Sequence, residues 1–195
     1  MTFPHAYQGI RNIRTSLILT LFSSFLAAAS CITRRNPVAV IVLTVAGLAF
    51  LLAGMILYII GIVRAEADER SFSKALIFVV FSFLCSLFQV FFPNSVIAKI
   101  ILSIGEISFS FGATILIILG IRSLAEQCKS FYCVNRSNTV MRILIAIFIL
   151  SIVLGVIPQS YQTMPFIAVG ALVLSIVRYA VSMSFLRDAL EMLES

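Results

Sequence analysis

Residues 99–110, which read KIILSIGEISFS, carry the feature around which the rest of the chain is organised. They lie in an apolar segment long enough to cross a bilayer, yet Glu106 is the only carboxylate deep inside any such segment. Lys99, Ser103, Glu106, Ser110 and Thr114 are spaced i, i+4, i+7, i+11 and i+15, which places them in one polar stripe along a helix. Ionisable groups within membranes are costly and face protein or a water-filled cavity. The pattern predicts that other helices enclose this stripe.

The composition is typical of an integral membrane protein. Of 195 residues, 61% are hydrophobic and only 11% are charged, whereas about a quarter of a soluble domain is charged. Apolar runs of about 20 residues each recur along the chain, and this is the length of a transmembrane helix. The net charge of +6 comes from Lys and Arg beside predicted helix ends. This placement favours membrane topology and anionic lipid over nucleic acid as its explanation.

The pattern predicts an all-α, polytopic membrane protein with six transmembrane helices in three hairpins. Pro37, Pro93 and Pro158 lie in the turns within the hairpins, and longer polar connections join one hairpin to the next. The first helix could instead be a signal peptide, but an uncleaved helix is favoured because a second apolar helix follows it closely. All three hairpins belong to a single membrane domain, residues 1–195. They span about 11–64, 72–124 and 139–187.

Basic residues predict a multi-pass protein of the cell membrane with both termini in the cytoplasm. With six spans, eleven of the 14 basic residues lie on the side that holds both termini, and such residues favour the cytoplasmic side. These are Arg11, Arg14, Arg64, Arg70, Lys74, Arg122, Lys129, Arg136, Arg142, Arg178 and Arg187. The other side carries Arg34, Arg35 and Lys99.

Regularly spaced glycines predict close helix packing. Glycine at heptad spacing lets a neighbouring helix approach, and this packing role is favoured over a ligand role. Residues 50–62 also resemble residues 109–121, which predicts an internal repeat. The glycines of the second and fourth helices are Gly47, Gly54, Gly61, Gly105, Gly112 and Gly120.

Six helices in three hairpins, a proline in each outward turn and a glycine-spaced second helix together resemble the bacterial HdeD-type membrane proteins. That family is linked to acid resistance and has no established biochemical mechanism. The resemblance implies a six-helix fold in the bacterial cell membrane and a non-enzymatic role in interaction or envelope stress. It implies no catalytic residues.

Glu106 is the strongest candidate for a functional residue. A carboxylate in a poorly hydrated site is more easily protonated, as proton-coupled transport requires. The alternative is a structural ion pair with Lys99 or with Arg178 of the sixth helix, although Arg178 could also reach the cytoplasmic surface. A second, weaker polar stripe on the third helix consists of Ser82, Cys85, Ser86 and Gln89. The binding or transport candidates are therefore Glu106, Lys99, Ser103, Ser110, Arg178 and Gln89.

The sequence predicts neither an enzyme nor a cofactor. Common hydrolase, metalloprotease and phosphate-binding motifs are absent, and the single histidine, His5, lies outside the spans. Cys128 and Cys133 share one loop, but two more ligands would be needed for zinc, so no metal site is predicted. The expected partners are the bilayer and either a second copy or another membrane protein. A small-solute or proton-coupled transporter, or its substrate-binding membrane subunit, is the alternative to the interaction role.

Overall fold

The computed structural model describes residues 3–32, 37–91, 96–156 and 164–194, and these are almost entirely α-helical. It does not describe the side chains of residues 28, 31, 32, 90, 96, 97, 99, 154–156, 164–169, 171 and 172 within the helices. The prediction of an all-α chain is confirmed. The helices are α1 (Pro4–Ile32), α2 (Pro37–Glu66), α3 (Ser71–Phe91), α4 (Val96–Gln127), α5 (Phe131–Val156) and α6 (Met164–Glu194).

Four of the helices, α2 to α5, have described segments that are long and apolar enough to cross a membrane. Large apolar side chains remain exposed along them, as at Ile41 and Ile101, each 63% exposed. Such surfaces suit contact with lipid tails, and they indicate a membrane-embedded protein. The segments are Pro37–Glu66, Ser71–Gln89, Ile100–Gln127 and Phe131–Val153.

Two helices begin earlier than the sequence predicts. The first helix starts at Pro4 rather than near Arg11, because proline suits a first helical turn and the Asp68 carboxylate accepts a hydrogen bond from the Ala6 N–H at 2.6 Å. The fifth starts at Phe131 rather than near Thr139, since polar residues extend it beyond its apolar part. Of the turn prolines, Pro37 begins α2, whereas Pro93 and Pro158 lie outside the described residues.

The connection between α4 and α5 is a tight helix stop at residues 128–130. The Ser130 N–H donates to the Ala125 carbonyl at 2.9 Å, and the Lys129 N–H donates to the Glu126 carbonyl at 3.1 Å. These two bonds form a Schellman motif, in which the residue after the cap takes a left-handed conformation. Here that residue is Lys129, with φ of 57°, a position where glycine is normally preferred because it has no Cβ.

The helices contact one another in a closed ring. Among the described residues, each helix contacts the next along the chain, α6 returns to α1, and α4 also contacts α6. The pairs α1–α2 and α3–α4 are the most extensive. In the pairs α1–α2, α3–α4 and α5–α6, contacting residues follow opposite orders along the two helices, so each pair is antiparallel.

The buried core lies at one end of this ring, which we call the connection end. It combines the start of α1, the end of α2, the start of α3, the end of α4, the middle of α5 and the end of α6. Ile10, Phe72, Leu124 and Phe185 are almost fully buried there. The described apolar core is therefore a layer across one end of the ring rather than a column along its axis.

Polar contacts tie neighbouring helices together at the connection end. Glu69, in the connection between α2 and α3, accepts a hydrogen bond from Ser123 of α4 at 2.9 Å. Arg122 of α4 donates to Asn138 of α5 at 2.9 Å, and Arg136 of α5 lies 3.4 Å from Asp188 of α6. These bonds link elements distant in sequence and hold the ring closed at this end.

Glycines of α2 and α4 lie where the paired helices approach closely. A Cβ built at Gly61 would lie 2.7 Å from the Gly9 carbonyl oxygen of α1, and one built at Gly54 would lie 3.1 Å from the Thr20 hydroxyl. The Gly47 position is looser, with its nearest atoms at 3.6 Å. On α4, Gly105, Gly112 and Gly120 face α3 at Cys85, Phe78 and Phe72, respectively.

We predict that Gly61→Ala lowers the free energy of unfolding by about 1–3 kcal/mol, because the added methyl group meets backbone that cannot move aside. Gly47→Ala is the matched control on the same helix. Its methyl group would make ordinary contacts, and alanine favours helix, so we expect no loss of stability. The two variants are compared by heating each purified protein in detergent and measuring the fraction that remains monodisperse. Equal melting temperatures would contradict close approach at Gly61.

Lys129→Gly should stabilise the protein by about 1 kcal/mol, because glycine adopts the left-handed conformation without steric cost. Lys129→Ala removes the same charge but keeps a Cβ, so it separates the backbone effect from the charge effect. The same heating assay measures both. Equal stabilisation by alanine would assign the effect to charge.

Candidate functional site

A cavity of about 540 Å³ lies within the ring, beyond the core layer. Its described lining comes from α1, α2, α3, α4 and α6. The volume falls within the range of about 300–1,000 Å³ that is usual for small-molecule sites. Ile117, Ile121 and Phe185 belong to both the lining and the buried core. The packed connection end therefore forms one wall of the cavity.

The polar stripe of α4 only partly faces this cavity. Glu106, Ser110 and Thr114 line it, as their i, i+4 and i+8 spacing on one helix face allows. Ser103 is not part of the described lining. The Lys99 side chain lies outside the described residues, so the predicted contact between Lys99 and Glu106 remains a prediction.

The Glu106 carboxylate is held by the third helix. Its Oε2 accepts a hydrogen bond from Gln89 Nε2 at 2.8 Å, and the Ser82 hydroxyl donates to the Glu106 backbone carbonyl at 3.2 Å. The weak stripe that the sequence predicts on α3 thus contacts the strong stripe on α4. One amide donor leaves a carboxylate with capacity to accept further hydrogen bonds.

Arg178 enters the same cavity from α6 and contacts the hydroxyls of α4. One of its terminal nitrogens lies 3.1 Å from Thr114 Oγ1 and 3.4 Å from Ser110 Oγ. Thr114 donates its own hydroxyl proton to the Ser110 backbone carbonyl at 3.0 Å. Its lone pairs therefore remain available to accept from the guanidinium.

The predicted ion pair between Glu106 and Arg178 is not formed. The three ion pairs among the described residues all lie near the connection end, and none includes either side chain. The offset between the two residues along α4 explains why they do not pair. Arg178 contacts α4 one to two turns beyond Glu106, which corresponds to roughly 6–12 Å along the helix axis.

The cavity therefore contains two opposite charges that do not neutralise each other. Both side chains are half-buried, and their described partners are an amide and two hydroxyls. Neutral partners orient a charged group but supply no counter-charge, and burial of an uncompensated charge costs several kcal/mol. Both charges are therefore left able to interact with water or with a polar solute.

Sequence reasoning missed the contributions of α1 and α2 to the cavity. Ser16 and Thr20 of α1 line it, as does Tyr58 of α2, and Tyr179 of α6 lies beside Arg178 in the lining. Ser16 and Thr20 are one turn apart, and this i, i+4 spacing was the available signal. Isolated tyrosines within apolar helices give no comparable periodicity.

The described residues contain no group of three His, Cys, Asp or Glu side chains arranged to hold a metal ion. Cys133 is buried at the connection end, with its thiol 3.7 Å from the Asp188 carbonyl oxygen. The polar side chains in the described lining of the cavity are hydroxyl groups, Glu106 and Arg178.

No protein-family model, curated protein or solved structure matches the chain. The resemblance to the HdeD-type proteins consequently remains a prediction. Any functional conclusion depends on the geometry of the cavity.

We predict strong coupling between Gln89 and Glu106. Gln89→Leu should lower stability by about 1–3 kcal/mol, because it removes the described hydrogen-bond donor of a half-buried carboxylate. The double variant Gln89→Leu/Glu106→Leu should recover most of this loss, since it removes both partners. The coupling is measured by a double-mutant cycle that includes Glu106→Leu, in which the stability of each variant is determined by heat denaturation in detergent. Additive effects would contradict a bond between these side chains.

Proposed function

We propose that this chain is a non-enzymatic integral membrane protein that binds a small polar solute in the cavity between its helices. It acts either as a transporter or as the substrate-binding membrane subunit of one. The observation that carries this proposal is the presence of Glu106 and Arg178 in one cavity without an ion pair between them. An interior that served only as a scaffold would be expected to pair its charges or to lack them.

The hydroxyls of the cavity suit reversible binding of a solute. Ser16 donates to the Ile13 carbonyl at 2.6 Å, and Thr20 donates to the Ser16 carbonyl at 2.9 Å. Both donors are thus satisfied within α1, while the hydroxyl oxygens can still accept. A solute can bind to them or leave without exposing an unsatisfied hydroxyl donor.

The proposed topology has six transmembrane helices as three hairpin repeats, with both termini in the cytoplasm. Corresponding glycine positions support the repeat, because Gly61 and Gly120 each lie against the first helix of their own pair. The basic residues support the orientation. Arg178 lies in the cavity, so it is not counted as a residue of either membrane surface. Ten basic residues then lie on the side of the connection end and three on the other side, which favours the connection end as the cytoplasmic side.

The first test of the proposed function is the aqueous accessibility of residue 110. We expect Ser110→Cys, in a cysteine-free background, to react with a membrane-impermeant thiol reagent in right-side-out or inverted vesicles, because Ser110 lines the cavity. Two controls bracket this result. Ser137→Cys replaces a fully buried serine outside the cavity, and Ser108→Cys replaces an exposed serine of α4 outside its lining. Neither control should react.

Absence of labelling at residue 110 from both sides, in a protein that still elutes as a folded species, would contradict a solute pathway. The interaction or envelope-stress role would then be favoured, and the partner would be sought by crosslinking. The side from which labelling occurs also tests the orientation. The described cavity ends at the connection end, so the proposed topology predicts access from outside the cell.

A further inference from the structure

The separation of the two charges in the cavity limits the chemistry of the solute. Glu106 and Gln89 form an acidic site at one level of α4. Arg178, with Ser110 and Thr114, forms a basic site one to two turns away. The α4 residues of the two sites are offset by roughly 6–12 Å along the helix axis, and the two charged groups do not form an ion pair.

A molecule that carries both charges matches this separation. An α-amino acid holds its ammonium nitrogen roughly 3 Å from a carboxylate oxygen, and hydrogen bonds of about 2.8 Å at each end extend its span to roughly 8–9 Å. A solute with a single charge would neutralise one site and leave the other uncompensated. A zwitterion neutralises both, and the arrangement of donors and acceptors fixes its direction.

The rest of the lining indicates what the zwitterion carries between or beside its charges. Leu51, Met55, Val79 and Phe83 add apolar surface to the cavity, as do Ile117 and Ile118 near the core layer. Such surface favours an apolar substituent. The cavity offers no second described carboxylate or guanidinium for a charged side chain.

We propose, on the basis of the proposed function, that the cavity binds a zwitterion with an apolar substituent. Its ammonium group contacts Glu106, and its acidic group contacts Arg178 together with Ser110 and Thr114. A free apolar amino acid and the headgroup of a zwitterionic membrane lipid share this chemistry. The two sources are distinguished by the probes below.

The direct test compares three forms of one molecule by isothermal titration calorimetry on the purified chain in detergent. We expect L-leucine to bind, and L-leucine amide and N-acetyl-L-leucine each to bind roughly tenfold or more weakly, because each lacks one charge. Calorimetry suits this chain because it has no Trp to report binding by fluorescence. The comparison needs no variant, so folding defects cannot produce the expected result.

Two variants assign the charges to their residues. Arg178→Gln should abolish the preference for L-leucine over its amide, while Glu106→Gln should abolish the preference over the N-acetyl form. Arg142→Gln and Glu126→Gln remove exposed charges outside the cavity and should change neither preference. Arg178→Lys keeps the charge and should retain part of the discrimination, which separates a charge effect from loss of folding.

Glycerophosphoethanolamine tests the lipid source. Binding of this compound but not of L-leucine, with the same dependence on Glu106 and Arg178, would support a zwitterion site that holds a lipid headgroup. Equal binding of the singly charged forms, or binding of neither zwitterion, would overturn the proposal. Labelling of Ser110→Cys does not depend on the ligand, so a water-filled cavity found there would leave the proposed function standing while this inference fails.

Discussion

The cost of burying a charge without a counter-charge is the constraint on which the cavity depends. A scaffold could meet that constraint by pairing Glu106 with Arg178, and helices α4 and α6 are in contact. Instead, each charge is held by neutral groups of a neighbouring helix. Gln89 fixes the carboxylate and the α4 hydroxyls fix the guanidinium, so both charges are oriented while neither is neutralised. This arrangement differs from a buried structural ion pair, and it supports the proposed binding of a charged solute.

Packing elsewhere makes that arrangement possible. Close approach at Gly9 and Gly61, and the seating of Phe72 and Phe78 on the glycines of α4, join the helices into tight pairs. The apolar layer and the polar contacts of the connection end then hold the pairs in a ring. Because the ring is fixed at this end, the interior beyond it does not need to be filled for the fold to persist. The connection end of the helices therefore stabilises the fold, while the parts beyond it form the cavity.

The sequence predicts the helices well, because apolar length and helical periodicity are local properties. Of the α4 stripe, Glu106, Ser110 and Thr114 line the cavity, and Ser103 is not part of its described lining. It predicts helix ends less well. The start of α1 depends on Asp68, a residue 62 positions away, and the start of α5 lies within a polar segment that shows no apolar period. The hydrogen-bond partners of Glu106 and Arg178 are still harder to predict from the sequence. Spacing along one helix gives a direction around its axis, but the axial offset between helices decides which groups meet, and that offset is set by tertiary packing.

The hydroxyl groups of the cavity bear on which end of a bound solute would be held in a fixed position. Within the cavity, Ser16, Thr20 and Thr114 donate their protons to carbonyls of their own helices. Their oxygens are left as acceptors, and the Glu106 carboxylate is an acceptor as well. The strongest described donor in the lining is the guanidinium of Arg178. Arg178 is also the only charged donor in the described lining, so an acidic group is attracted most strongly to that position. If the proposed zwitterion binds, we therefore expect the cavity to tolerate variation around its ammonium group and Arg178 to set the position of its acidic group.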